Sequence, residues 1–150
     1  MDEALGYLKK HKDKFVGELA EFISIPSVSA LPEHFDDIRK AASWLKNRVQ
    51  IAGIENVEIM ETGGHPSVYG DWLHAGNDKP TVLVYGHFDV QPVDPIHLWD
   101  HNPFSGKIID DKIYGRGASD DKGSMLIPIL SFESILASDK KFPVNIKFLF

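Results

Sequence analysis

An α/β or α+β architecture is predicted from three features of the sequence. Two amphipathic helical stretches open the chain, a continuous β-branched run sits at its centre, and a helical stretch followed by a second apolar strand closes it. The 150 residues fit one domain or a piece of a larger one. A chain of that length can bury about 68–70% of its unfolded surface, enough for a real core. Hydrophobic residues make up 43% and charged residues 25%, which excludes a disordered or fibrous chain.

The first helix is read from Leu5, Leu8, Phe15, Leu19, Phe22 and Ile23, spaced three, four and seven apart as one continuous apolar stripe. Pro26 ends it, and Ser27 to Pro32 is a loop of turn formers. The second helix runs from about Phe35 to Ala52, with Ile38, Ala41, Ala42, Leu45 and Val49 on one face and Gly53 where a C-cap is wanted. Val57 and Ile59 alternate with polar residues as a strand does, Gly63-Gly64 turns the chain, and Ser67 to Gly70 is a short second strand.

Thr81 to Tyr85 (TVLVY) is unbroken β-branched and apolar sequence, the pattern of a strand covered on both faces. Residues 86 to 106 carry Pro92, Pro95 and Pro103 and form a long loop, of the kind that usually serves function. Ile108-Ile109 and Ile113-Tyr114 flank Asp110-Asp111 as a small hairpin. A helix from about Asp121 to Ser138 contains Pro128, which calls for a kink or a late start. Val144 to Phe150 is the last strand. Because that strand stops at Lys147-Phe148-Leu149-Phe150, we expect the chain to be the N-terminal part of a longer polypeptide, and its apolar end to drive association.

Several function classes drop out. Lys+Arg is 16 against 22 Asp+Glu, a net charge of −6, so a nucleic-acid partner is not expected. The longest apolar runs, such as Met125 to Leu130, are too short to span a bilayer, so no membrane partner is expected. The acidic start Met1-Asp2-Glu3 is not that of a signal peptide, and a cytoplasmic location is the default. With no cysteine there is no disulfide framework, thiolate metal site or cysteine nucleophile, so any metal must be held by His, Asp and Glu.

Two clusters carry candidate chemistry. Gly86-His87-Phe88-Asp89 follows the central strand, at the end where open α/β sheets bind ligands. Two residues apart, His87 and Asp89 share a face if strand geometry persists. A carboxylate that takes the proton of one imidazole nitrogen fixes the tautomer and frees the other as a metal ligand. The plainer reading is a histidine that caps a strand. The second cluster, Tyr114 to Gly123 (YGRGASDDKG), places Asp120 and Asp121 at a helix start, where acidic residues also serve as ordinary caps. A phosphate loop is disfavoured: Asp120 stands where G-x-G-x-x-G needs its third glycine, and no G-x-x-x-x-G-K-[ST] occurs. Nitrogen and oxygen donors of this kind suit zinc, manganese or cobalt.

These motifs in order, GHFDVQPV (Gly86 to Val93), Trp99, Pro103-Phe104 and YGRGASDDKG, closely resemble the M20 metallopeptidases, in particular the dipeptidase branch with its carnosine and cytosolic non-specific dipeptidases. The resemblance covers nearly all of the chain, from Ile25-Pro26-Ser27-Val28-Ser29 onward. It implies a mixed-sheet, zinc-exopeptidase-like α/β catalytic domain, of which 1–150 is the N-terminal portion, with the lid domain and the remainder absent. It further implies two Zn²⁺ ions, with Mn²⁺ or Co²⁺ as alternatives, sharing one carboxylate and one water. His87 is the implied ligand of one metal and Asp120 the bridging carboxylate. Asp89 is the implied catalytic residue that orients His87, and the Asp120–Asp121 bond is the implied cis peptide. Asp121 and Lys122 are then structural.

The resemblance implies dipeptide hydrolysis by the parent protein. It also places the general base, a glutamate, and the other ligands beyond Phe150, so that 1–150 alone is expected to be inactive. An N-acyl-amino-acid deacylase or desuccinylase of the same family, acting on N-acyl amino acids, is the near alternative, and a non-catalytic relative that serves as a binding module is the distant one. His11, His34, His65 and His74 are read as ordinary surface or turn residues, and His97 and His101 as loop residues beside Trp99.

Overall fold

The computed structural model describes residues 2–139 and 141–150. Its elements are α1 (Asp2–Lys10), α2 (Lys12–Ser24), α3 (Phe35–Ile51), β1 (Glu55–Met60), β2 (Ser67–Trp72), β3 (Thr81–Tyr85), β4 (Lys107–Ile109), β5 (Lys112–Tyr114), α4 (Lys122–Asp139) and β6 (Asn145–Leu149). The result is a mixed α/β fold. Four strands form one sheet in the order β1-β2-β6-β3. β1 and β6 each pair antiparallel with β2, and β3 pairs parallel with β6, Thr81 opposite Asn145 and Tyr85 opposite Leu149. The parallel pair needs a crossover, and the chain from 86 to 144, including α4, supplies it.

The expected single first helix is two. The chain turns once at His11, whose φ of −106° and ψ of 12° leave the helical region, and the helical bonds resume with the Phe15 amide donating to the His11 carbonyl. The apolar stripe passes over the turn, so periodicity alone does not mark it. α3 follows its expected bounds. Ile38, Ala41, Ala42 and Leu45 are fully buried, and Gly53 takes a φ of +94° just after it. The 110–111 turn of the β4–β5 hairpin puts both aspartates in the left-handed region, at φ 48° and 60°. Pro128 lies within α4, which starts at Lys122 and so has no late start.

The core gathers Phe22, Ile38, Leu45, Val49, Val68, Trp72, Met125, Phe132, Phe148 and Phe150 between the helices and the sheet. A buried ionic cluster lies beside it. Arg48, 3% exposed, donates from Nε to Glu18 at 2.8 Å and from a terminal nitrogen to Glu133, and the Tyr7 hydroxyl donates to the same Glu133 carboxylate at 2.8 Å. These bonds tie α1, α2, α3 and α4 together at one point.

The expectation for Thr81–Tyr85 is corrected. β3 is an edge strand, and among the described residues nothing pairs with its outer side. Val84 packs on the core, while Leu83 is 59% and Tyr85 75% exposed on the opposite face. A continuous apolar run identifies a strand but carries no information on whether its second cover belongs to the same segment. β6, expected to be the sticky element, is instead interior, flanked by β2 and β3, with Phe148 and Phe150 buried.

Candidate metal centre

The site is assembled at the end of β3. Gly86 follows the strand directly, and a Cβ there would stand 2.9 Å from both Asp121 Oδ2 and Met125 Cβ, so the close approach of the chain to α4 requires glycine. The His87 amide donates to Asp121 Oδ2 at 3.2 Å, which fastens the strand end to the start of α4.

The His87 ring then lies between two carboxylates. Its Nδ1 is 3.1 Å from Asp89 Oδ1 and 3.2 Å from the Asp89 carbonyl oxygen. Its Nε2 is 3.1 Å from Asp120 Oδ1. Partial burial would lower the His87 pKa, but the backbone bond and charge of Asp89, with the contact to Asp120, outweigh it and hold the imidazole above its ordinary value. The Asp120 carboxylate is 87% exposed. It belongs to a cis Asp120–Asp121 peptide, as the resemblance implies.

Glycines and one lysine shape the second half. Gly117 takes φ +86°, and a Cβ on it would press to 2.6 Å from Val90. Lys122, fully buried, reaches back with Nζ to donate to the carbonyls of Phe22 at 2.9 Å and Ile25 at 2.7 Å. Burial pushes its amine down to about 7, against the opposing pull of Asp37 and Asp89.

A cavity of about 200 Å³ opens over these groups, lined by His87, Asp89, Arg116, Ser119 and Asp120. A second, of about 330 Å³, reaches His87 from the side of His65, Tyr85 and Phe150. The three residues singled out from the sequence, His87, Asp89 and Asp120, thus come together at one place. His97 and His101 line neither of these cavities; His101 stands edge-on to Tyr114 at 6.0 Å, and a separate hollow beside Trp99 includes it. His34, His65 and His74 are engaged by Asp37, the Ser29 carbonyl and Glu55, each at 2.8–2.9 Å.

The donor set suits a borderline cation. One imidazole nitrogen and one carboxylate oxygen stand at the separation of two ligands that each lie about 2.0–2.2 Å from a shared ion. Asp89 behind the ring is the usual outer support of a metal-bound histidine. Among the described residues, no three His, Cys, Asp or Glu side chains gather as a metal site, so the pair is part of a coordination sphere and does not close one.

Two features were not legible from the sequence. Arg116 stands in the quoted glycine-rich run, yet only the structure shows its use: it donates to the Pro92 carbonyl at 3.0 Å and lies 5.0 Å over the Trp99 ring, anchoring the long loop beside the cavity. The segment Ser27–Ser29 contacts Phe88, Asp89 and Val90 across some sixty positions of sequence. No local spacing announces such a contact.

The description Peptidase family M20/M25/M40 matches residues 83–150. Over 99% of its length the chain is 34% identical to the Beta-Ala-His dipeptidase of Mus musculus, covering 32% of that protein. It is 34% identical over its whole length to the Cys-Gly metallodipeptidase dug1 of Schizosaccharomyces pombe, covering 33% of it. Among solved structures, human carnosine dipeptidase 1 superposes with a TM-score of 0.89 at 31% identity, over 99% of this chain and 33% of that one. The di-peptidase Dug1p of Saccharomyces cerevisiae gives 0.88 at 28%, over 99% and 34%. The chain therefore spans about a third of the length of the curated relatives it matches.

Proposed function

The chain belongs to the M20/M25/M40 peptidase family, and from that premise we propose that the protein carrying it is a metal-dependent dipeptidase, with residues 1–150 as the N-terminal portion of its catalytic domain. The observation that carries the proposal is the His87 ring, backed by Asp89 on one nitrogen and facing Asp120 with the other. In this reading His87 Nε2 and the Asp120 carboxylate would hold the divalent metal, His87 as a terminal ligand and Asp120 as the carboxylate shared between two ions. Asp89 accepts the hydrogen bond that Nδ1–H donates, which fixes the tautomer that leaves Nε2 free to bind and raises its basicity. Zinc is the metal proposed, with manganese and cobalt as substitutes of like geometry.

When bound, such a cation supplies Lewis acidity, polarising the scissile carbonyl and making water nucleophilic at neutral pH. The chain's own contribution is positional. His87 and Asp120 hold their donor atoms at a fixed separation, and Gly86 and Gly117 let the two loops that bear them close on each other. The proton-transferring base, the remaining ligands and the lid are assigned to sequence outside 1–150. The isolated segment then performs no turnover. A dipeptide is the proposed substrate, on the strength of the dipeptidase relatives.

The test uses the natural gene product with added zinc, assayed against a panel of dipeptides and N-acylated amino acids. Dipeptides should be turned over preferentially, and His87→Ala should lower kcat/KM by at least about a hundredfold, the upper end of what loss of a supporting group costs. Full activity in His87→Ala contradicts the proposal, as does dipeptide turnover by isolated 1–150.

A further inference from the structure

We infer that Ser29 is a positioning residue of this centre: its hydroxyl aims the Asp89 carboxylate at His87, and the Phe22–Ser29 segment that carries it acts as a jig for both ligand-bearing loops. The inference rests on the metal-centre reading given above. Asp89 uses its two oxygens for two partners. Oδ1 faces His87 Nδ1 at 3.1 Å, and Oδ2 accepts from Ser29 Oγ at 2.5 Å. The carboxylate is 37% exposed, so water competes for it, and rotation about its last bond would turn Oδ1 away from the ring. A donor fixed on the far oxygen removes that freedom.

Ser29 can do this because its own backbone is held. Val28 bridges to Val90 in parallel, the Val90 amide donates to the Ser27 carbonyl at 2.8 Å, and the buried Ser27 hydroxyl donates to the Phe88 carbonyl at 2.6 Å. His65 Nε2 meets the Ser29 carbonyl at 2.9 Å from the other side. Three consecutive residues, Phe88 to Val90, are thus tracked by three, Ser27 to Ser29.

The same segment reaches the other loop. Lys122, two residues after Asp120, spends its ammonium on the carbonyls of Phe22 and Ile25. The end of α2 and the loop after it therefore hold the His87–Asp89 segment with serine hydroxyls and the Asp120 segment with a lysine. The separation of His87 and Asp120 is set through a third stretch of chain that supplies no ligand itself.

An isosteric pair of variants tests this in the natural gene product. Ser29→Thr keeps the hydroxyl and Ser29→Val removes it at the same shape, so packing changes cancel between them. Zinc affinity is read by calorimetry, with melting of the metal-free protein and the kcat and KM of the zinc form as companions. Ser29→Val is expected to bind zinc about tenfold more weakly than Ser29→Thr, the lower range for outer supports of a ligand. The two should melt alike and share a KM, with the loss falling on kcat. Equal zinc affinity of the two variants overturns the inference, and so does a loss shared equally by Thr and Val, which would mark a packing defect. His87→Ala separates the two claims. If it binds zinc as the parent does, the metal-centre reading itself fails. If it binds weakly while Ser29→Val binds normally, only the role of Ser29 fails.

Discussion

His87 and Asp120 stand 33 positions apart in the chain, yet His87 Nε2 lies 3.1 Å from Asp120 Oδ1. One residue follows strand β3 and the other precedes helix α4, and the amide of His87 is tied to Asp121, the residue after Asp120. The contact therefore follows from how β3 and α4 are joined, and mutation at that joint should be felt at the proposed metal site.

Asp89→Asn should cost about 10- to 100-fold in zinc affinity, with a parallel fall in kcat, because an amide no longer draws the Nδ1 proton as a carboxylate does. Calorimetric titration of the natural gene product checks this. Affinity within twofold of the parent contradicts the role given to Asp89.

Metal-free protein should show a pH dependence of stability traceable to His87. Its folded pKa is raised above the unfolded value of about 6.5, so its contribution is fully present below pH 6.5 and is lost as pH rises through the folded value. Urea unfolding of the parent and of His87→Gln across pH 5.5–8.5 should give a difference that shrinks as pH rises. A difference that grows with pH contradicts the electrostatic picture of the site.

Arg48→Ala should destabilise the fold by up to about 3–5 kcal/mol, since it takes from the buried Glu133 carboxylate its nearest cation and leaves it only the Tyr7 hydroxyl and Lys14 at 3.9 Å. Replacing the pair together, Arg48→Met with Glu133→Met, should recover part of that loss. The Glu18 and Tyr7 partners left behind limit the recovery. Denaturant midpoints of the single and double variants decide the matter.

Isolated 1–150 should self-associate through β3, the edge strand of the sheet whose Leu83 and Tyr85 are exposed. Sedimentation should show concentration-dependent species that Leu83→Lys abolishes. A monodisperse segment before the substitution contradicts this.

The sequence carried the element order because each element is governed by local periodicity. Ile38, Ala41, Leu45 and Val49 mark their helix face as plainly as Thr81 to Tyr85 mark a strand. The convergence of the candidate residues His87, Asp89 and Asp120 was legible for a related reason, each lying within a short motif near the end of an element. What stayed hidden was non-local. The exposure of β3 depends on which strands neighbour it, the turn at His11 breaks two helices without breaking their stripe, and the bond from Ser29 to Asp89 spans 60 positions. None of these leaves a trace in spacing or composition.

The most direct measurement is anomalous diffraction at the zinc edge from crystals of the zinc-loaded natural gene product. The expected result is a zinc ion with His87 Nε2 and an Asp120 oxygen both within about 2.0–2.2 Å of it. A zinc ion bound without either residue, or the two side chains left bonded to each other with zinc elsewhere, would contradict it.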